Sequence, residues 1–560
     1  MRKSKGDWSW LRDDFNVSQL AQMLGIKRQV IDNWVRGRND PDLLSTLKLA
    51  RLVGSSEELE RRANIKLEFT PPESIKSYVS LGALTDRNYG YLIKVSDHLK
   101  YIGQFGKLHQ RAYAALKEVA GKDNLFTARL WFDIGYAELM LGHPLDAVES
   151  ARKARELLPQ KEDSMLLADT HWFAGECLRV IGKLNESYPH LDEAAKIYKR
   201  LEAKPSFYEP GPVWLEWDLG RYFAAYGRYD TALNHFQHME DTAKDIWLAE
   251  AEVIAAWSLG NIADIKGEFD SAISSYAYAK ELAAIVGDRY WEAAALWSIA
   301  EVYRKIGEFD KAITTAEAVH KTFELIGNMR MVAKANYILA ACYLQKRELD
   351  KASELYLGAI DVFVKTDDIS MEQRILVGLA LIDLAYESQK PIPDYRKPLG
   401  TFLEIDADRP NIHDLYLDVY QDLACAEALR LSGYTERALT RFHTVIKTCS
   451  LNGYQLETAH ALLGIAATKL LEGEADRQSC VEAHKIYQKT GSKWGQIQAF
   501  IIQALIESQM GESNTHLLQE GAILANEISL RAESQLIEVL AMQSSAQRAN
   551  QVLLFVPAIA

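Results

Sequence analysis

Cysteine is scarce, five in 560 residues, at 177, 342, 425, 449 and 480, with no Cys-x-x-Cys and no regular spacing. That scatter gives no zinc site and no disulfide framework, and predicts buried core thiols in a reducing compartment. Proline is sparse as well, 14 in all, which favours long helices over strand-and-turn architectures. No run of about 18 uncharged apolar residues occurs, so no membrane span is expected. The segment Met1-Arg2-Lys3-Ser4-Lys5-Gly6-Asp7 leads into a charged stretch without an apolar signal core, so a cytoplasmic location is expected. Catalytic signatures are missing too: no Gly-rich loop closing on Lys-Ser/Thr, no His-Glu-x-x-His, no Gly-x-Ser-x-Gly. The 13 histidines are dispersed, and paired carboxylates are what an acidic helical surface produces. No enzyme activity, metal or cofactor is expected.

What is present is ordinary in kind and unusual in distribution. The chain is too long for one compact core, so several domains or a repeat array are expected. Hydrophobic residues make up 48% and charged ones 25%, which argues for a folded protein. Residues 1–54 hold ten Lys/Arg against six Asp, a net of +4, so the rest carries −17 of the total −13. A basic head on an acidic body is the asymmetry of a chain in which one small module meets phosphates. A soluble acidic protein with a slightly basic end would show the same balance.

The head carries a pattern. Ser18 suits an N-cap for a helix with Leu20, Ala21 and Leu24 on one side. Gly25 stands where that helix must stop and the chain turn. Ile26 re-enters the core, and Ile31, Trp34 and Val35 give a second helix its buried stripe. Small Ala21 sits where two steeply crossed helices come closest. This is the helix-turn-helix pattern, whose second helix enters the major groove. The stretch resembles the Xre/Cro-type helix-turn-helix family at Leu20, Ala21, Leu24, Gly25, Ile26, Ile31 and Trp34. The Arg36-Gly37-Arg38-Asn39-Asp40-Pro41 loop looks like that family's link to a fourth helix, Leu43 to Val53. The first helix, Trp8 to Phe15, is shorter than usual. The resemblance implies that Lys27, Arg28 and Gln29, with Asp32 and Asn33 a turn later, face base edges. Gln19, Arg36 and Arg38 then contact phosphates. The alternative is a domain of this shape kept for protein contact.

Beyond Thr70-Pro71-Pro72-Glu73 a repeat dominates. Leu141-Gly142-His143-Pro144-Leu145-Asp146-Ala147 returns as Tyr226-Gly227-Arg228-Tyr229-Asp230-Thr231-Ala232. It returns again as Lys266-Gly267-Glu268-Phe269-Asp270-Ser271-Ala272 and as Ile306-Gly307-Glu308-Phe309-Asp310-Lys311-Ala312. The turns at 142, 182, 227, 267, 307 and 347 lie about 40 apart, and 433, 473 and 511 continue the rhythm. Glycine ends a first helix, the apolar residue two further on plugs the hairpin, and Asp is expected to cap the second helix. A small residue before each turn (Gly135, Gly175, Gly220, Gly260, Ala300, Ala340) marks the close approach of the pair. The unit resembles the tetratricopeptide repeat, most closely at Trp131, Gly135, Gly142, Ala147, Ala154 and Pro159. Such hairpins bury their faces only against neighbours. The fold expected is therefore all-α: a four-to-five-helix bundle, then a right-handed α-solenoid with a concave surface. The boundaries read are a helix-turn-helix domain at 1–56, a linker at 57–80 and a first sub-array at 81–388. An irregular Pro-containing connector at 389–410, a second sub-array at 411–545 and an apolar tail at 546–560 follow.

Ten residues before successive turns stand Phe132, Trp172, Trp217, Trp257, Trp297 and Tyr337. Two readings compete. The rings line a groove for a peptide, or they are mortar between repeats. One helical turn on, the same face holds Tyr136, Glu176, Arg221, Asn261, Glu301 and Ala341, then Arg179, Asp264 and Arg304. The candidate groove residues are Trp172, Trp217, Arg221, Trp257, Asn261, Trp297, Arg304 and Tyr337. The plan of head and array is similar to that of the peptide-pheromone-responsive regulators of Gram-positive bacteria. That resemblance implies a ligand-modulated DNA binder, with a homodimer reading two half-sites. The alternative is a scaffold whose array holds a partner protein, such as an effector or protease of a bacterial defence or stress system, with the head a secondary anchor.

Overall fold

A computed structural model gives the architecture. It describes residues 28–36 and 38, the isolated positions 9, 11, 17, 20 and 96, and residues 105–542 apart from gaps at 120–122, 142, 160–162, 204–209, 327, 367, 391 and 410–413. Among the described residues there are 23 helices and no strand. The head contributes α1 (Arg28–Val35). The array opens with α2 (Phe105–Val119), α3 (Asn124–Met140), α4 (Pro144–Glu156), α5 (Met165–Val180), α6 (Leu184–Arg200), α7 (Gly211–Ala225) and α8 (Tyr229–Ile246). It continues through α9 (Ala249–Ile265), α10 (Phe269–Val286), α11 (Arg289–Ile306), α12 (Phe309–Ile326), α13 (Met329–Gln345), α14 (Leu349–Lys365) and α15 (Ile369–Ser388). Then come α16 (Arg396–Ala407), α17 (Leu415–Leu431), α18 (Thr435–Asn452), α19 (Gln455–Leu471), α20 (Arg477–Thr490), α21 (Lys493–Gln509), α22 (Thr515–Glu527) and α23 (Arg531–Met542). Helices α2–α8 and α11–α23 pack chiefly on their sequence neighbours, as hairpin repeats must.

The turn glycines do what their spacing requires. Gly182, Gly227, Gly267, Gly307, Gly433, Gly473 and Gly511 all have φ between +70 and +87, and Arg347 takes the same conformation at +61. The left-handed geometry reverses the chain after the first helix of each pair. At Gly220 an added Cβ would stand 2.4 Å from the Phe236 ring, and at Gly260 2.6 Å from Tyr276. The small residue there lets an aromatic of the second helix seat against the first.

The expected Asp caps are corrected. Asp146, Asp230, Asp270 and Asp310 lie inside the first turn of their helices, where a carboxylate favours the helix dipole. The N-cap position of α8 is Arg228, which makes no side-chain cap. Of the second helices, α20 does carry an Asp cap, Asp476 accepting from the Ser479 N–H at 3.0 Å, and most side-chain caps sit on first helices. Asp288, Asn328 and Asp368 accept from the backbone N–H three residues on, at 3.1, 3.1 and 3.3 Å. Within the Pro-containing connector, α16 is helical. Pro398 falls in its first turn, where an N–H has no intrahelical partner to lose.

The chain divides into two compact units. Unit 1 comprises residues 1–255 with 284–287, and unit 2 comprises 256–283 with 288–560. In unit 1 the hairpins from α3 to α8 bury Phe132, Phe173, Leu191 and Phe236 between successive helices. Unit 2 has a large core running from Ala263 to Leu540 and a second cluster around Val319, Phe323 and Met331. It also closes on itself. Ser492 Oγ donates to the Lys305 carbonyl at 3.3 Å, and Lys493 pairs with Glu308 at 3.0 Å. Trp494 covers Gly307, its Cβ 2.8 Å from where a Cβ of that glycine would stand. The open concave face expected from the repeats is, in this unit, an interior.

Candidate functional sites

In the head, α1 follows from its apolar spacing. Ile31 and Trp34 are buried at 0 and 2% exposure, together with Leu11 and Leu20 from preceding residues. The opposite side leaves Arg28 and Gln29 exposed, with Asp32 and Asn33 half-buried and Arg36 and Arg38 exposed after the helix. Arg28 Nε lies 3.8 Å from the Asp32 carboxylate, and Arg38 reaches Asn33 Oδ1 at 3.4 Å. Gln19 and Lys27 lie outside the described residues. The exposed face therefore offers a guanidinium and an amide at the start of a short helix.

In unit 1 the ladder meets a charged cluster. Trp172 Nε1 donates to Asp218 Oδ2 at 2.8 Å, tying α5 to α7. Asp218 is 1% exposed, and its other oxygen has no hydrogen-bond donor. Arg179 forks onto Glu176 at 2.7 and 2.8 Å and lies 3.5 Å from Asp218. Arg221 lies over the Trp217 ring, 4.3 Å from its centroid, and only 3.8 Å from Glu176. Burial raises the Asp218 carboxyl well above the usual carboxylate range, helped by neighbouring Glu176. Burial also raises Glu176, but Arg179, Asp218 and Arg221 outweigh it and bring the group down to about 2. Here Trp172, Trp217 and Arg221 are together, with Arg221 one-third exposed.

In unit 2 the remaining candidates are tied up by their own chain. Trp257 Nε1 donates to Ser298 Oγ at 2.9 Å, and Trp297 Nε1 to the Lys334 carbonyl at 3.2 Å. Each indole thus bonds the next repeat's first helix. Asn261 Oδ1 accepts from the Tyr276 hydroxyl at 2.7 Å. Arg304, 1% exposed, forks onto Glu301 at 2.6 and 3.1 Å, and Tyr337, 4% exposed, lies 5.9 Å from Tyr356. Further interior groups were not among the sequence candidates: the Lys305–Asp264 pair at 2.9 Å, the Arg430–Glu427 pair at 2.5 Å, and His460, whose Nδ1 lies 2.7 Å from Tyr487 Oη. Beside His460 and Trp494 lies a cavity of about 20 Å³, the size of a single water site. Among the described residues no cluster of three or more His, Cys, Asp or Glu is placed to hold a metal, and no helix is long and apolar enough to cross a membrane.

Residues 9–59 match the family model described as "Helix-turn-helix". The N-terminal segment is a helix-turn-helix domain. The match brackets α1, which carries Arg28 and Gln29. No curated protein matches the chain in sequence. Among solved structures it is similar to a Rap protein complexed with competence and sporulation factor: 14% identity, 69% of this chain and 99% of that chain covered, TM-score 0.46. It is also similar to aspartyl phosphate phosphatase F from Bacillus subtilis, at 15%, 66%, 94% and 0.44 on the same measures. Yeast Tom70 follows at 15%, 81%, 96% and 0.33. The hairpin array behind the helix-turn-helix head rests on this chain's own geometry.

Proposed function

We propose that this protein is a DNA-binding transcription regulator, with no catalytic step of its own, whose helical array binds a peptide or protein partner and thereby alters DNA binding. The observation that carries the reading is α1: an apolar stripe buried at Ile31 and Trp34, and an exposed Arg28-Gln29 edge that serves no core purpose, inside a matched helix-turn-helix. Arg forks onto guanine and Gln pairs with adenine, each such contact worth about 1–3 kcal/mol of discrimination. The acidic body supplies no competing phosphate affinity. One small head binds weakly at physiological salt, so a homodimer reading two half-sites belongs to the proposal. Unit 1 supports the sensing role, since Arg221 and Trp217 stand half-exposed beside the buried Asp218 carboxylate.

The test is an electrophoretic shift with duplex from upstream of the protein's own gene, using the parent and a Lys27→Ala/Arg28→Ala variant. A sequence-specific shift that the variant loses by about tenfold or more supports the regulator. No shift on any duplex, with a partner protein captured through the array, supports the scaffold instead.

A further inference from the structure

Two cations in unit 2 occupy the same register position of neighbouring repeats: Lys334 on α13 and Arg374 on α15, forty residues apart. The two helices touch. Among the described residues no carboxylate forms an ion pair with Lys334. Three carboxylates of the neighbouring helices pair with arginines: Asp368 with Arg330 at 2.6 Å, Asp414 with Arg374 at 3.3 Å and Glu301 with Arg304 at 2.6 Å. The Lys334 ammonium lies 5.5 Å from the Trp297 ring centre instead. Burial, then the charge of Arg330, hold it below the usual lysine range, with Asp368 opposing and Arg374 adding to the shift. Arg374, 19% exposed, has its Nε buried without an acceptor. Deeper in, the hydroxyls of Tyr356 and Tyr420 are buried without partners, in side chains 0 and 2% exposed.

Arg374 has Asp414 and, among the described residues, Lys334 has no carboxylate, so one cation of the pair is left without a counter-charge; a desolvated cation in that position is costly, and a fold retains it where something of opposite charge neutralises it. The orphaned groups share one character. An ammonium and a guanidinium N–H only donate, and two phenols can donate. An acceptor-rich anion suits the two cations, and a basic or apolar ligand does not.

We propose that Lys334 and Arg374 form a binding site for an anionic group, a carboxylate or a phosphate, on the ligand that the array senses. This deepens the sensing role proposed above and rests on it. Its test uses no DNA, so failure of the site and failure of DNA binding are separate results.

The measurement is the thermal unfolding midpoint of the full chain at constant ionic strength, with sodium chloride replaced in part by inorganic phosphate or by acetate. Either anion at about ten times its dissociation constant raises the parent's midpoint by about 1–2 °C. A shift with phosphate alone assigns a phosphorylated ligand, and one with acetate alone a carboxylate. Lys334→Gln removes the unpaired cation, so its anion-free midpoint is at or above the parent's while its anion response is lost. Arg374→Gln loses the response too, but leaves Asp414 unpaired; Lys334→Gln therefore keeps the result readable where the arginine variant fails to fold. No shift of the parent with either anion overturns the site. So does an equal shift in Lys334→Gln, or a lower anion-free midpoint for that variant.

Discussion

One sequence position behaves differently in the two units. Gly182 in unit 1, φ +79, has nothing within 4 Å of where a Cβ would stand, whereas Gly307 in unit 2, φ +87, lies under Trp494. The inner faces differ in the same way. At the matching position Arg179 of unit 1 is 12% exposed and Arg304 of unit 2 is 2%, while Arg221, on the same inner face of unit 1, keeps a third of its side chain exposed. The hairpin rule is local and shared; what differs is that α21 comes back to meet α11 in unit 2. Summed curvature, and no single repeat, decides whether an inner face is a groove or a core.

The comparison can be broken most sharply through ion pairs. Glu427 and Arg430 are 2 and 1% exposed. Glu427→Ala strands a buried guanidinium and is expected to cost about 3–5 kcal/mol. Arg221→Ala in unit 1 is discounted for solvent screening and is expected to cost less than about 1 kcal/mol. Urea denaturation of both variants measures the difference; equal losses would mean that unit 2 is as wet as unit 1.

Next come the two turn glycines. Gly182→Ala carries only the left-handed strain, about 1–2 kcal/mol. Gly307→Ala adds a clash with Trp494 and its backbone, for about 2–4 kcal/mol in total. Midpoint shifts of the same size in both would remove the closure contact from the account.

The smallest of the three effects is a pH dependence confined to the sealed interior. Burial, then the charge of Arg304, lowers the His460 pKa to about 3, from an ordinary 6.5. The unfolded chain therefore takes up the proton first. Stability is full above about pH 6.5 and falls as the pH drops toward 3, by about 2 kcal/mol between pH 6.5 and 5. Stability curves at the two pH values for the parent and for His460→Gln test this, and the variant should lose most of the slope.

Much of the fold was legible. The forty-residue spacing located the described turns inside hairpins, from Gly182 to Gly511, because a left-handed residue is a local demand that glycine meets cheaply; the turns between hairpins at Trp247, Gly287, Gly453 and Gly491 were not read. The head was legible where it is described, since Ile31 and Trp34 repeat at helical spacing and are buried. The cap positions were misread, because an Asp two residues inside a helix and an Asp before it look alike until the first helical residue is known. Asp288, Asn328 and Asp368, forty apart, carried the missed signal. The site was less legible. Trp257 and Trp297 were left between groove and mortar, and the indole bonds to the next repeat depend on a register that spacing alone does not give. Arg304, read as a groove residue, is sealed by a contact joining residues 187 apart, and no local pattern encodes that. Lys334 went unremarked because its distinction is the absence of a partner.

The head and its helix α1 face one decisive measurement: selection of bound duplexes from a random pool by the full-length protein, beside an Arg28→Ala/Gln29→Ala variant. A single enriched motif for the parent, lost or relaxed at one or two base pairs in the variant, is the predicted result. No enrichment by the parent, or an identical motif from the variant, would contradict the assignment of α1 as the reading helix.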